Sequence, residues 1–362
     1  PGRARWARPG GGARAPPGQE AGGQRPGKRG SAVDKRDEQA VTAVKLYFER
    51  GLSQAEVATA MGLSRPTVAK LLQRGKEAGF VTIAIHDPRE TSSELARRLE
   101  ERFGLAEARV VHMDVPGGTD LLDELGRAGA DLVVELVRDG MSVGISWGRT
   151  MSAVASHLRH TARSDVTVVQ LKGGSSYSEL ATNDFEIMRA FCDALNATAM
   201  YLPLPAIFQD VRTLSVVKRD PHIAKILQAG RRTDAVVFTV GSVGRQSLIL
   251  NLGHLNDQEV EELVERSAGD ACSRFYTREG ACAVPAIDKR TAGISLEDLA
   301  SRPIRILVAG GQHKAVALGT ALRMGLASHL VTDQRLATAL LEEASEGAGR
   351  DPGAGPGADG GV

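Results

Sequence analysis

Cysteine is scarce in this chain. The three present, Cys192, Cys272 and Cys282, are far apart and odd in number, and no CxxC pair occurs. That argues against a disulfide framework and a cysteine-based zinc site, and it suits a reducing compartment. Long apolar runs are missing too. No stretch approaches the roughly 18 apolar residues of a membrane span, and no apolar segment near residue 1 reads as a secretory signal. A cytoplasmic protein with no membrane role is expected. The pattern GxxxxGK[ST] is absent, so ATP hydrolysis is not indicated, and no GxGxxG follows a strand, which disfavours NAD. His222, His313 and His329 have no metal-ligand spacing, and no Ser-His-Asp order stands out. Neither a cofactor nor a metal is expected.

The net charge of +1 hides a gradient. Residues 1–33 carry +6 and residues 34–80 carry +2, which leaves −7 for the rest. Positive charge at one end only favours phosphate contact there. Residues 1–33, rich in Gly, Pro, Arg and Ala without periodicity, read as a disordered basic tail. The Gly- and Pro-rich stretch 347–362 reads the same way.

What is there begins with residues 51–75, GLSQAEVATAMGLSRPTVAKLLQRG. Ser53 with Glu56 forms a capping box, and Val57, Ala58 and Met61 fall on one helical face. Gly62 suits a turn with positive φ. Ser64 caps a second helix, and Pro66 is tolerated in its first turn. Val68, Leu71 and Leu72 make that helix's inward stripe, while Lys70 and Gln73 point away, with Thr67 and Arg74 on the flank. This reads as a helix-turn-helix, whose second helix lies in the DNA major groove. The alternative is a helical hairpin that only packs. Residues 38–49, with Val41, Val44, Tyr47 and Phe48 at helical spacing, supply a supporting helix. Expected DNA contacts are Ser64, Arg65, Thr67, Lys70, Gln73 and Arg74, with Arg65 and Lys70 on the backbone or bases.

From residue 81 onward, β-branched runs alternate with amphipathic segments. Strands are expected at 109–113, 141–145, 166–171, 235–240 and 304–309. Helices are expected near 91–103, 119–138, 150–159, 184–196, 221–230, 257–266, 314–324 and 333–343. Such alternation predicts an α/β domain with a largely parallel sheet. The domains are expected as 1–33 (tail), 34–85 (helix-turn-helix), 92–343 (α/β) and 347–362 (tail), joined near 86–92, where Pro88 breaks the pattern.

In open parallel sheets, ligands sit at the carboxyl ends of strands beside helix N-termini. Two segments have that form. In VGISWGRTM, residues 143–151, the hydroxyls, free N–H groups and Arg149 suit a phosphate, or the segment is an ordinary turn. In ILVAGGQHKAVALGTALRMG, Gly310 and Gly311 allow close backbone approach, and Lys314 falls in the first helical turn, opposing the dipole. An anion between them explains that placement, and so does an exposed, water-screened Lys. Lys172 either contacts an anion, forms a Schiff base with an aldehyde sugar, or faces solvent at a strand end; the last is the simplest reading. Asn183 and Asp184 either bond sugar hydroxyls or cap a helix. VGSVG, residues 240–244, is a third strand-end turn. Asp270 and Arg274 reach a ligand or each other.

These motifs, taken in order, resemble the SorC-family regulators, grouped with the DeoR-type sugar regulators of bacteria. The resemblance runs over about residues 38–343. It rests on residues 47–85, VGISWGRTM, YLPLPA, KRDPH, GDACSRFY and AGGQHKAVALGTALRMG. It implies an N-terminal helix-turn-helix and a sugar-binding domain similar to the Rossmann-like fold of ribose-phosphate isomerases and glucosamine-phosphate deaminases. It also implies a phosphorylated sugar effector that alters operator binding, and a homodimer or homotetramer. Ser146, Gly148, Arg149 and Thr150 match the family's phosphate loop. Gly310, Gly311 and Lys314 match its second anion turn, and Asp270 an acidic position near the sugar. Asn183 fits a polar, ligand-facing position. Ser273 stands where Gly is common and Thr277 where Asp is common, which bears on the sugar's identity. The basic tail is no family feature.

The leading expectation is a DNA-binding transcriptional regulator controlled by a phosphorylated sugar, not an enzyme. The alternative is a sugar-phosphate isomerase or deaminase. That would need a positioned acid/base pair, and Asp184 and Asp270 do not form a convincing one. A nonspecific nucleic-acid binder driven by the tail leaves the acidic remainder unexplained.

Overall fold

The computed structural model describes residues 35–81, 88–112, 120–176 and 178–347. The tail expected at 1–33, and residues 348–362 of the one expected at the C-terminus, lie outside them, as does much of the expected join. The chain forms two compact units, Pro1–His86 and Asp87–Val362.

The first unit contains α1 (Lys35–Val44), continued by a π-helical stretch Lys45–Glu49, then α2 (Gln54–Met61) and α3 (Arg65–Glu77). The local signals act as their chemistry requires. Ser53 and Glu56 form a reciprocal capping box, Gly62 ends α2 at φ +65°, and the Ser64 side chain accepts from the Thr67 N–H. Ala40, Ala43, Val44, Val57, Ala58, Val68, Leu71 and Leu72 are the unit's buried core. Gly75 is required there, because a Cβ would stand 2.4 Å from Val44 Cγ2. The expected helix 38–49 therefore differs in detail. The wider π turn shifts the phase, so Leu46, Tyr47 and Phe48 are all half-buried, and Val41 is not in the core.

The second unit runs α4 (Pro88–Phe103), β1 (Glu107–Val111), α5 (Asp120–Leu136), β2 (Ser142–Ile145), α6 (Arg149–His157), β3 (Thr167–Gln170), α7 (Asp184–Leu195), β4 (Thr198–Met200), α8 (Val211–Val217), α9 (Pro221–Arg231), β5 (Ala235–Phe238), β6 (Val240–Gly241), α10 (Asp257–Arg266), β7 (Gly269–Ala271), β8 (Arg274–Tyr276), α11 (Pro285–Asp288), α12 (Leu296–Ala300), β9 (Ile304–Val308), α13 (Ala315–Arg323), β10 (His329–Asp333) and α14 (Gln334–Gly347). Among the described residues, seven strands form one sheet in the order β1-β10-β9-β5-β2-β3-β4. Every pairing in it is parallel. The central strand β5 is apolar and buried along its whole length, as a strand covered by helices on both sides must be. Ala235, Val237, Ile306 and Val308 join one core, and Val236, Phe238 and Leu307 the other.

All five expected strands form, the first displaced to Glu107–Val111. The sequence reading missed β10, the short edge strand β4 and the small antiparallel sheet β6-β7-β8. In that small sheet Cys272 and Ser273 form the β7–β8 turn with φ of +50° and +65°. A left-handed conformation at both central residues is the type I′ hairpin, where glycine is the least strained choice. At Ser273, where the resemblance leads one to expect Gly, the backbone thus takes a conformation that glycine adopts with least strain. Thr277 belongs to the next turn, where its hydroxyl accepts from the Glu279 N–H.

Candidate functional site

On the first unit, α3 presents Arg65, Thr67, Lys70 and Gln73 as exposed side chains. Ser64 is held by its cap, with Oγ 2.8 Å from Thr67 Oγ1. Gln73 donates to Glu77 Oε1. Arg74, expected on the outward flank, instead donates to Asp37 Oδ1 at 2.6 Å and ties α3 to α1.

On the second unit, the chain lays β2, β3 and β4 outward in succession, then returns to place β5 on the other side of β2. This is a topological switch point, where loops leaving adjacent strands diverge and open a crevice. A cavity of about 560 Å³ lies there, lined from the loop after β2 (Trp147, Gly148, Arg149, Thr150), the loop after β5 (Thr239 to Gly244) and the turn after β9 (Gly310, Gly311, His313, Lys314). Lys172 and Asp270 also line it, and Leu121, Leu122, Leu125, Leu248 and Ile249 form an apolar side.

The glycines have specific work. Gly148 and Gly311 have φ of +132° and +91°. A Cβ on Gly310 would stand 2.4 Å from Leu125 Cδ1, and one on Gly241 would stand 2.2 Å from Asp270 Oδ1. The Gly-Gly turn is anchored from below by Asp333, a buried residue that the sequence reading missed. Its Oδ2 accepts the Gly311 N–H at 2.7 Å, while Oδ1 accepts the N–H groups of Arg335 and Leu336. An Asp closing an apolar strand just before a helix was the available signal.

Charge in the cavity is strongly perturbed. Lys172 is a correction: it does not face solvent but is buried, its ammonium 3.6 Å from the centroid of the Trp147 ring. Trp147 is locked in turn by its indole N–H donating to Gly173 O at 2.9 Å. Burial pushes the Lys172 pKa down, opposed chiefly by Asp270. Burial pushes Asp270 up, against the pull of Lys172, the Ser273 N–H and Lys314. Lys314 is not a water-screened surface charge either, because burial brings its pKa down to about 8. It caps α13 from a short 3₁₀ turn rather than lying inside the helix.

Four residues singled out in the sequence are elsewhere. Ser146 is buried, its hydroxyl without a partner among the described residues, and lies outside the cavity lining. Asn183 is exposed at the start of α7 at φ +54°, and its side chain makes no capping bond. Asp184 turns inward to Gln170 and Thr182. Arg274 does not meet Asp270; it is buried and bound to Asp288 and to the carbonyls of Thr291, Gly293 and Ile294. Among the described residues no cluster of His, Cys, Asp and Glu could hold a metal, and no helix is long and apolar enough to cross a membrane.

Residues 87–342 match the family described as "Putative sugar-binding domain". The chain is 38% identical over 312 residues to the deoxyribonucleoside regulator of Bacillus subtilis (strain 168), covering 86% of this chain and 100% of that protein. It is 28% identical over 305 residues to the sorbitol operon regulator of Klebsiella pneumoniae, covering 83% and 97%. The crystal structure of full-length SorC from Klebsiella pneumoniae superposes with a TM-score of 0.65 at 28% identity, over 84% of this chain and 98% of that one. A domain of a possible sugar-binding transcriptional regulator from Arthrobacter aurescens TC1 superposes with a TM-score of 0.64 at 28% identity, over 71% and 100%. These comparisons agree with helices joined to a parallel-sheet domain: the chain belongs to the SorC-type, sugar-binding transcriptional regulators and is not an enzyme.

Proposed function

We propose that residues 34–85 bind operator DNA in the cytoplasm, in a homodimer or homotetramer, and that a phosphorylated sugar held by residues 92–343 controls that binding. One observation carries the effector reading. Arg149, His313 and Lys314 line one cavity at two helix starts, and among the described residues none of the three side chains has a hydrogen-bonding or ion-pairing partner. Unpaired donors beside free helical N–H groups suit a phosphate dianion. In this reading Gly148, Gly310 and Gly311 let the backbone approach it, the Thr150 hydroxyl adds a donor, and Asp270 accepts from a sugar hydroxyl. The leucines pack against the sugar's C–H face.

A thermal-shift panel of sugar phosphates tests the reading, since a ligand at about 100 times its Kd adds about 2.7 kcal/mol to the folded state. Deoxypentose phosphates enter first, because the Bacillus relative is a deoxyribonucleoside regulator. The unphosphorylated sugars should give no shift at equal concentration; equal shifts with and without phosphate would remove the anion site. On the DNA side, Lys70→Ala should weaken binding to all sequences about equally and lower the salt slope by about 1. Fluorescence anisotropy across salt concentrations reads this. An unchanged slope would take Lys70 off the phosphate backbone.

Burial of Lys172 favours a second mode of attachment. A Lys with a lowered pKa offers a neutral amine. That amine can add to an open-chain aldehyde and lose water to form an imine, with Asp270, itself pushed toward its protonated form, supplying the proton to the departing hydroxyl. Borohydride reduction in the presence of 2-deoxyribose 5-phosphate should add the sugar's mass less one oxygen to the wild type and nothing to Lys172→Met. An unmodified wild type would leave the phosphate site but end the covalent mode.

A further inference from the structure

Beside Lys314 and Arg149, His313 is the third unpartnered side chain of the anion site, and the one that titrates lowest. Its position gives it a use of its own. Its side chain lines the cavity. The ring folds back over the Gly-Gly turn, with Nδ1 and Cε1 only 2.9 and 2.8 Å from where a Cβ on Gly311 would be. The ring therefore occupies space that any side chain at 311 would take. Neither ring nitrogen has a hydrogen-bond partner among the described residues. The charged groups facing it are Lys314 on its own turn, Arg149 from the start of α6, and Asp333 from the end of β10.

We infer that His313 is a proton-dependent ligand of the effector's phosphate, so that anion binding takes up a proton on this imidazole and tightens as pH falls. This rests on the anion site proposed above. The sign follows from the surroundings. Partial burial, Lys314 and Arg149 hold the free imidazole below its ordinary value of 6.5, against a smaller opposing pull from Asp333. Near neutral pH the ring is then uncharged and contributes one donor at most. A bound dianion reverses the local field and raises the pKa. Between the lowered free value and the raised bound value, binding carries a proton with it. Protonation turns a neutral contact into a charge-assisted one, which is about twice as strong. The window is separate from that of Lys314, whose proton leaves at about 8.

Inorganic sulfate is the appropriate probe, because it stays a dianion throughout the range while a phosphate monoester titrates near 6. Sulfate titrations of the wild type and of His313→Gln, followed by calorimetry and by nitrogen NMR of the imidazoles, should be run from about pH 5.5 to 9. The wild type should bind sulfate about tenfold more tightly at 5.5 than at 7.5, equivalent to about 1.4 kcal/mol. One imidazole resonance, missing in His313→Gln, should move to higher pKa on binding. The variant should keep the loss of affinity above pH 8 and lack the gain below 7.5. Identical pH profiles for the two proteins would overturn the role of His313 while leaving the anion site in place. No sulfate binding by the wild type at any pH, with a phosphosugar shift absent as well, would overturn both.

Discussion

Lys314→Met is expected to make the ligand-free protein more stable and its effector binding weaker. Burial holds the Lys314 pKa at about 8 in the folded protein, against 10.5 for an ordinary lysine. Between these values the unfolded chain holds the proton and the folded one has lost it, so stability rises with pH across the window. Below about 8 the buried ammonium is a standing cost. A methionine of similar length removes it. A gain of about 1–3.5 kcal/mol at neutral pH is expected, the upper end being the whole displacement from 10.5 to about 8 converted at about 1.4 kcal/mol per pH unit. Effector affinity should fall by about 1.5–3 kcal/mol, the range for a hydrogen bond to a charged group. Urea unfolding at pH 7 and 9.5 checks the first half, because the variant's advantage should shrink at the higher pH. Calorimetric titration with a phosphosugar checks the second. A variant less stable at pH 7, or one with wild-type affinity, would move the anion away from this lysine. The expected pattern is a site held at the expense of stability.

Gly126→Ala is expected to be among the most damaging single-methyl changes in the second unit. Gly126 lies in α5 where that helix crosses α6, and a Cβ there would stand 2.5 Å from the Ala153 carbonyl oxygen and 2.7 Å from its carbon. Those are backbone atoms of a buried helix, so no side-chain rotation relieves the contact and the helices must separate. Overpacking of this kind costs about 1–3 kcal/mol and sometimes more. The consequence reaches the cavity. The first turns of α5 carry Leu121, Leu122 and Leu125 of its apolar side, and the start of α6 carries Arg149 and Thr150. Loss of stability should therefore be accompanied by weaker effector binding, although residue 126 touches no ligand. Denaturant unfolding and effector titration of Gly126→Ala and of Gly140→Ala read this together. Gly140 has open space around it but φ of +76°, so it reports backbone strain alone. Equal losses at both sites, with effector affinity intact, would mean that close approach of α5 and α6 is not what shapes the cavity.

Much of this architecture is legible in the linear chain because the signals involved are local. Capping boxes, the Gly62 turn and the stripe Val68-Leu71-Leu72 act within a few residues of one another. Both-face burial writes β2, β3, β5 and β9 as continuous β-branched runs. The two Gly-containing loops were recognisable because an anion-binding turn needs small residues next to a helix start. The elements missed were those with the least local content. β4 has three residues at the sheet edge, and the hairpin β7–β8 has three-residue strands whose register depends on β6, nearly thirty residues earlier. β10 is only five residues, HLVTD, with two apolar side chains, lying between two helical patterns.

The residues alone determine that a helix-turn-helix is joined to a parallel α/β domain, and which loops lie at the strands' carboxyl ends, since periodicity and capping depend on neighbours in the chain. Only the tertiary structure decides which of those loops meet. The strand order puts β5 beside β2 and so brings Arg149, Lys172, Asp270, His313 and Lys314 to one cavity. The same packing removes Asn183 and Ser146 from that cavity, and turns Arg74 to Asp37 and Arg274 to Asp288. Burial also decides ionisation. In sequence Lys172 reads most simply as a solvent-facing strand-end lysine and Lys314 as a first-turn lysine facing an anion or water, and both become perturbed because folding withdraws water from them faster than it supplies opposite charge.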